Sequence, residues 1–326
     1  MSVESIERDS TVEKTAGESA DIYSDIDPAN FNNQIVAING MRRMTELDCR
    51  YGKFWNRELI MSDGTRYENV IGIPNENKNN GKAAIWTPAW WTSHKAGYNT
   101  EIAIDAMEQG YTAFIQSAEL NRGISLAQSA HNMHMAFAES SNLIEYSTDR
   151  AVLLGDSRGA MIGFGFLAQA KQKQIEVIGG LLVDPCCAKK VDFSLRPKKL
   201  AKLLFYYEHV LELKSLNRQI GRLSSGQFLQ YLKTVELSSD FAAQQRRVGP
   251  PLFTGEAGEL AEQVPDDQPI DVVFFNRSPI NHAEEYGKIF ELKAANLISR
   301  IGTHLSIANP KTREIRIQKL EELREA

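Results

Sequence analysis

One stretch constrains this chain more than any other: Val152-Leu153-Leu154-Gly155-Asp156-Ser157-Arg158-Gly159-Ala160. A buried apolar run stops at a glycine. A serine follows two residues later, then a second glycine, then a segment rich in small residues (Ala160, Gly163, Gly165, Ala168) with helical character. A serine held at a sharp strand-to-helix turn sits in strained backbone, and residues two positions to either side must lack side chains for strand and helix to approach. Gly155 and Gly159 meet that requirement. The same turn aims backbone N–H groups at the helix N-terminus, so the N–H of Arg158 would face an oxyanion forming beside Ser157. Neither a GKS/GKT nor a G-x-G-x-x-G phosphate loop accompanies the motif, which argues against a nucleotide-binding turn.

The surroundings carry the same message. Strand-like runs at 83–86, 111–115, 150–154, 177–183, 271–275 and 297–301 alternate with helical stretches at 100–109, 125–143, 160–170, 284–293 and 311–324. That alternation predicts an α/β fold with a mostly parallel central sheet flanked by helices. Shorter runs at 44–49, 58–61 and 68–73 add strands at the beginning, and 75–81 reads as a turn. Residues 31–187 and 270–326 would form this core.

Two segments stand apart. Residues 1–30 hold eight acids against Arg8 and Lys14, a net −6 in a chain whose total is −5, so the remainder is close to neutral. Such a segment has too little apolar surface to order itself and is expected to be a disordered acidic leader. Residues 188–269 lack strand-like runs, and Leu200, Leu203, Leu204, Tyr207 and Leu211 recur at helical spacing, which predicts an inserted helical cap. Between Lys189 and Arg247 twelve Lys or Arg face five Asp or Glu. The insert is therefore locally basic, a solvated face or a surface for an anionic substrate.

Composition removes several classes. With a sequence pI near 5.8 there is no global basic field for nucleic acid. No apolar run reaches the roughly 18 residues of a membrane span. Cys49, Cys186 and Cys187 cannot make a disulfide framework or a four-cysteine zinc site, which suggests a reducing, cytoplasmic setting. No metal or cofactor is expected, and the oligomeric state is open.

On the motif at 152–160 and the strand–helix order, the sequence resembles the α/β-hydrolase fold family over about residues 44–185 and 270–325. The resemblance implies a catalytic order of serine, acid, histidine. Arg300-Ile301-Gly302-Thr303-His304-Leu305 looks like the family's histidine loop, making His304 the base beside Ser157 as nucleophile. The family's second oxyanion amide comes from the loop that here reads Trp86-Thr87-Pro88-Ala89-Trp90-Trp91; Pro88 has no N–H, leaving Ala89 or Trp90, with Trp90 preferred. The usual acid after the strand at 271–275 is missing, since that loop begins Asn276-Arg277-Ser278. A family variation puts the acid one strand earlier, where Asp184 stands; Glu284, Glu285 and Asn276 are the alternatives. The implied activity is a serine hydrolase acting on a small acyl substrate through an ester-type carbonyl. Acyl transfer on the same site, or a non-catalytic binding or scaffold protein of this fold, are the competing readings.

Overall fold

Six apolar strands pair in parallel because each is followed by a helix that carries the chain back across the sheet. The structure, a computed structural model, describes residues 35–62, 64, 66–87, 97–118, 125–141, 150–173, 175–190, 254–278, 281–302 and 304–325. The expected leader, the loop holding Ala89 and Trp90, and most of the expected cap lie outside them.

The strands are β1 (Ile35–Arg43), β2 (Gly52–Met61), β3 (Arg66–Pro74), β4 (Ala83–Thr87), β5 (Thr112–Ala118), β6 (Arg150–Asp156), β7 (Glu176–Val183), β8 (Ile270–Phe275) and β9 (Ala295–Arg300). The helices are α1 (Gly97–Glu108), α2 (Leu126–Ser141), α3 (Arg158–Ala170), α4 (Glu256–Glu262), α5 (Ala283–Phe290) and α6 (Pro310–Arg324). One sheet holds all nine strands in the order β1-β2-β3-β5-β4-β6-β7-β8-β9. The β1–β2, β2–β3 and β3–β5 pairs are antiparallel, and every pair from β5 through β9 is parallel. The sheet is thus mixed, with an antiparallel edge on a parallel centre.

Side chains alternate across the pleat, and both faces are covered. Ala84, Trp86, Val152, Leu154, Leu181, Val183, Val273 and Phe275 pack with Ile102, Met107, Leu320 and Leu323 of α1 and α6. The opposite face carries α2, α3, α4 and α5. There Phe114 of β5 meets Phe137 edge-on at 5.0 Å, and Phe164 lies 5.4 Å from Tyr286 and 5.6 Å from Phe290. Each large apolar side chain fully buried this way contributes about 1.5–3 kcal/mol. The small residues of α3 let it lie close to the sheet: a Cβ on Gly163 would stand 2.7 Å from Leu182.

One sequence expectation fails. No strand forms over 44–49, where Thr45–Leu47 is a single 3-10 turn and Met44 is buried against the core. The strand precedes it instead, as β1. Its pairing with β2 is interrupted between Ile35 and Ala37 and again between Asn39 and Arg42, and such irregularities erase the alternation that marks a strand in sequence. Glu256–Glu262, within the range expected for the cap, is helix α4, whose Ala257, Leu260 and Ala261 are buried. Glu256 accepts from the amides of Leu126 and Ala127 at 3.0 and 2.8 Å, capping α2.

Candidate active site

The parallel strands deliver their carboxyl ends to one edge of the sheet, and the candidate residues follow those ends directly. Ser157 comes after β6, Asp184 after β7, and His304 after β9. Ser157 has φ 53° and ψ −117°, in a region that side-chain-bearing residues rarely adopt. Such a conformation costs of order 1–3 kcal/mol and persists only where the surroundings enforce it. Here the Ser157 amide donates to Val183 O at 2.8 Å, and α3 begins at the next residue. A Cβ on Gly155 would stand 2.8 Å from the carbonyl carbon and oxygen of Gly159, so the turn closes only with glycine at 155.

Beneath the turn, Asp156 is fully buried and ion-paired with Arg316 of α6. Arg316 also donates to Ile307 O at 2.9 Å, and its guanidinium lies 5.4 Å from the Trp86 ring. The pair anchors the base of the serine turn to the last helix.

Asp184 continues the pattern one strand over. Its amide donates to Val273 O at 2.7 Å, and its φ is +50°, a left-handed conformation that aspartate tolerates better than most residues. The side chain has no exposure, and three donors converge on it. Oδ1 accepts from the Phe275 amide at 3.1 Å and from Asn281 Nδ2 at 2.7 Å. Oδ2 lies 2.6 Å from His304 Nδ1.

Neighbouring strands are about 4.8 Å apart, so the ends of β7 and β9 are separated by about 10 Å. The chain after β9 therefore turns back over β8. Arg277 donates through its amide to Gly302 O at 2.9 Å, and the Gly302 amide donates to Asn276 Oδ1 at 3.3 Å. These bonds swing His304 across to Asp184. The imidazole is partly open to solvent, at 19% side-chain exposure, while its partner is sealed, which leaves Nε2 as the nitrogen away from the carboxylate.

The alternatives in the loop after β8 face elsewhere. Glu284 is exposed, and Glu285 pairs with Lys189 at 3.4 Å. Both line a surface cavity of about 490 Å³ that includes Asn276 and Asn281 but neither Ser157 nor His304.

The structure brings His304 and Asp184 together, but among the described residues no hydrogen bond joins His304 to Ser157. The Ser157 hydroxyl instead contacts the Cys186 thiol, at 3.6 Å between Oγ and Sγ. Hydrogen bonds between a nucleophile and its base often tighten only once substrate is bound. Burial raises the Cys186 thiol's pKa, so it stays protonated beside the serine. Arg158 is the first residue of α3, where backbone N–H groups lack helical acceptors.

Two contributors escaped the sequence reading. Asn281 lies in the loop after β8, which carries no Asp, and its side-chain amide donates to Asp184. Cys186 lies two residues past Asp184, a position that carries no signal in sequence. His131 and His134 are both buried in α2, and His134 stacks on Phe166 at 3.7 Å.

No family model matches the sequence, and no curated protein matches it. Solved structures do resemble it in fold. DcsB in complex with a substrate analogue superposes with a TM-score of 0.57 at 16% identity, over 83% of this chain and 98% of its own. The Pyrococcus furiosus esterase Pf2001 gives 0.53 at 13% identity, over 89% and 96%. A bacterial membrane phospholipase A gives 0.54 at 13% identity, over 84% and 87%. The fold is that of the α/β-hydrolases. No helix among the described residues is long and apolar enough to cross a membrane.

Proposed function

We propose that the protein is a serine hydrolase acting on an ester-type bond. The observation that carries this reading is the 2.6 Å contact between His304 Nδ1 and buried Asp184, one strand from a serine held at positive φ. Asp184 fixes the imidazole with its proton on Nδ1, so Nε2 is free to take the proton of Ser157. The serine leaves Cys186, turns toward His304 and attacks the carbonyl carbon, forming a C–O bond as the carbonyl π electrons move to oxygen. That oxyanion is met by the Arg158 N–H and a second amide from Ala89 or Trp90. His304 returns the proton to the leaving alcohol, and water then repeats the sequence on the acyl-enzyme. The reaction needs no cofactor. The segment 188–269 would cover the mouth as a cap, with α4 as its tie to the core. Cys49, Cys186 and Cys187, which form no disulfide among the described residues, are in keeping with a cytoplasmic setting.

The esterase and phospholipase among the structural neighbours are in keeping with this chemistry. The test is pre-steady-state hydrolysis of p-nitrophenyl esters of increasing chain length. A p-nitrophenolate burst proportional to enzyme, abolished in Ser157→Ala, is the expected result. Turnover that persists in Ser157→Ala would move the chemistry to another residue.

A further inference from the structure

Three arginines are buried among the described residues: Arg57, Arg158 and Arg316. Arg57 pairs with Glu139 at 3.0 Å, and Arg316 pairs with Asp156. Arg158 has no carboxylate within ion-pair distance among the described residues. Its side chain is only 8% exposed, and the one hydrogen bond its guanidinium makes there runs from Nη2 to the neutral Ser129 hydroxyl at 3.2 Å. A guanidinium carries five N–H donors, and among the described residues only one of them, on Nη2, has an acceptor. Glu256 is close enough to be felt, yet its two oxygens are occupied by the amides of Leu126 and Ala127. Burial accordingly pushes the arginine's pKa down. A buried charge in this state is costly unless a partner arrives.

Its position says where the partner comes from. Arg158 follows Ser157 in the chain, and its guanidinium reaches the first turns of α2, at the carboxyl edge of the sheet. In sequence, the segment 189–247 that follows β7 carries a net +7.

Resting on the serine hydrolase reading of this edge, we infer that Arg158 anchors a carboxylate borne by the substrate, making it the residue that selects an anionic ester. A monoanion balances the single buried positive charge, whereas a phosphate dianion would leave an excess negative charge in the same enclosure. The planar fork also matches a carboxylate in two parallel hydrogen bonds. The side chain acts on specificity, separately from the Arg158 backbone N–H assigned to the oxyanion.

The test measures binding, so it does not require turnover. Isothermal calorimetry on the full chain compares unbranched carboxylates from acetate to octanoate with the matching primary amides, and with inorganic phosphate. The expected result is at least tenfold tighter binding of the best carboxylate than of its amide. That preference should vanish in Arg158→Gln and survive in part in Arg158→Lys, which also guards against a Gln variant that does not fold. Carboxylates no tighter than amides in the wild-type protein, a preference that persists in Arg158→Gln, or phosphate binding more tightly than every carboxylate would overturn the inference. If carboxylates bind as expected while Ser157 never reacts with an acylating reagent, the anion site stands and the hydrolase reading falls. The opposite pair of results removes the anion site alone.

Discussion

Replacing Asp184 by asparagine changes one atom in a cluster whose donors are all accounted for, so its consequence can be worked out. Three donors meet the carboxylate: the Phe275 amide and Asn281 Nδ2 on Oδ1, and His304 Nδ1 on Oδ2. An asparagine has a single acceptor oxygen. With that oxygen in the place of Oδ1, the Phe275 and Asn281 bonds survive and the new NH2 faces His304. The reverse orientation sets the NH2 against two donors instead of one. Each unmet buried donor costs about 1–3 kcal/mol, so the first orientation wins by about that amount and the fold should hold. His304 must then accept at Nδ1 and carry its proton on Nε2, the wrong tautomer for a base. In a serine triad that error costs about 10⁴ in turnover, equivalent to about 5.5 kcal/mol of transition-state stabilisation. The assay is kcat/KM on the best p-nitrophenyl ester, with circular dichroism and thermal unfolding as checks on the fold. Glu284→Gln and Glu285→Gln, whose carboxylates face solvent or Lys189, should each lose less than about tenfold. A folded Asp184→Asn within tenfold of wild type would show that Asp184 does not set the His304 tautomer.

Other perturbations test the supports of the site. Gly155→Ala places a Cβ 2.8 Å from the Gly159 backbone, so it should lose activity and lower the unfolding temperature even though alanine is the smallest replacement. Arg316→Met strands the buried Asp156 charge beneath the serine turn and should cost about 3–5 kcal/mol in denaturant unfolding, with Asp156→Asn added to it restoring much of the loss. His134 is held neutral by burial, its pKa lowered to about 3 from an ordinary 6.5. Below pH 6.5 the unfolded chain therefore takes up a proton that the folded protein refuses, and this group removes up to about 1.4 kcal/mol of stability per pH unit as pH falls toward 3. His134→Phe should keep the stack on Phe166 and flatten the stability profile between pH 6 and 4; an unchanged profile would show that His134 is not the group responsible.

The parts of the fold that were legible in sequence are those fixed by local sterics. Gly155, Ser157 and Gly159 specify a strand–turn–helix by themselves, because a Cβ at 155 cannot fit whatever the rest of the chain does. The buried runs that became β4, β6, β7 and β8 were readable because strands covered on both faces are continuously apolar. Long-range choices were not readable. Nothing local to 83–87 or 112–118 says that β4 lies inside β5, and β1 hides behind its irregular pairing. In the site, Asp184 and His304 were visible as residues at strand ends. Their contact depends on how the chain after β9 folds back toward the loop after β8, and the roles of Asn281 and Cys186 depend on which strand ends stand side by side. The Arg158 side chain carries no signal of its own within the motif, and that no carboxylate among the described residues pairs with it is a property of the packed structure alone.

Covalent capture tests whether Ser157 is an activated nucleophile without knowledge of the substrate. The folded protein is incubated with a fluorophosphonate, its intact mass is measured, and the labelled peptide is sequenced. One adduct per chain is expected, on Ser157, absent from Ser157→Ala and formed far more slowly in Asp184→Asn. A folded wild-type protein that gains no adduct, or gains it on a residue other than Ser157, would show that Ser157 is not an activated nucleophile.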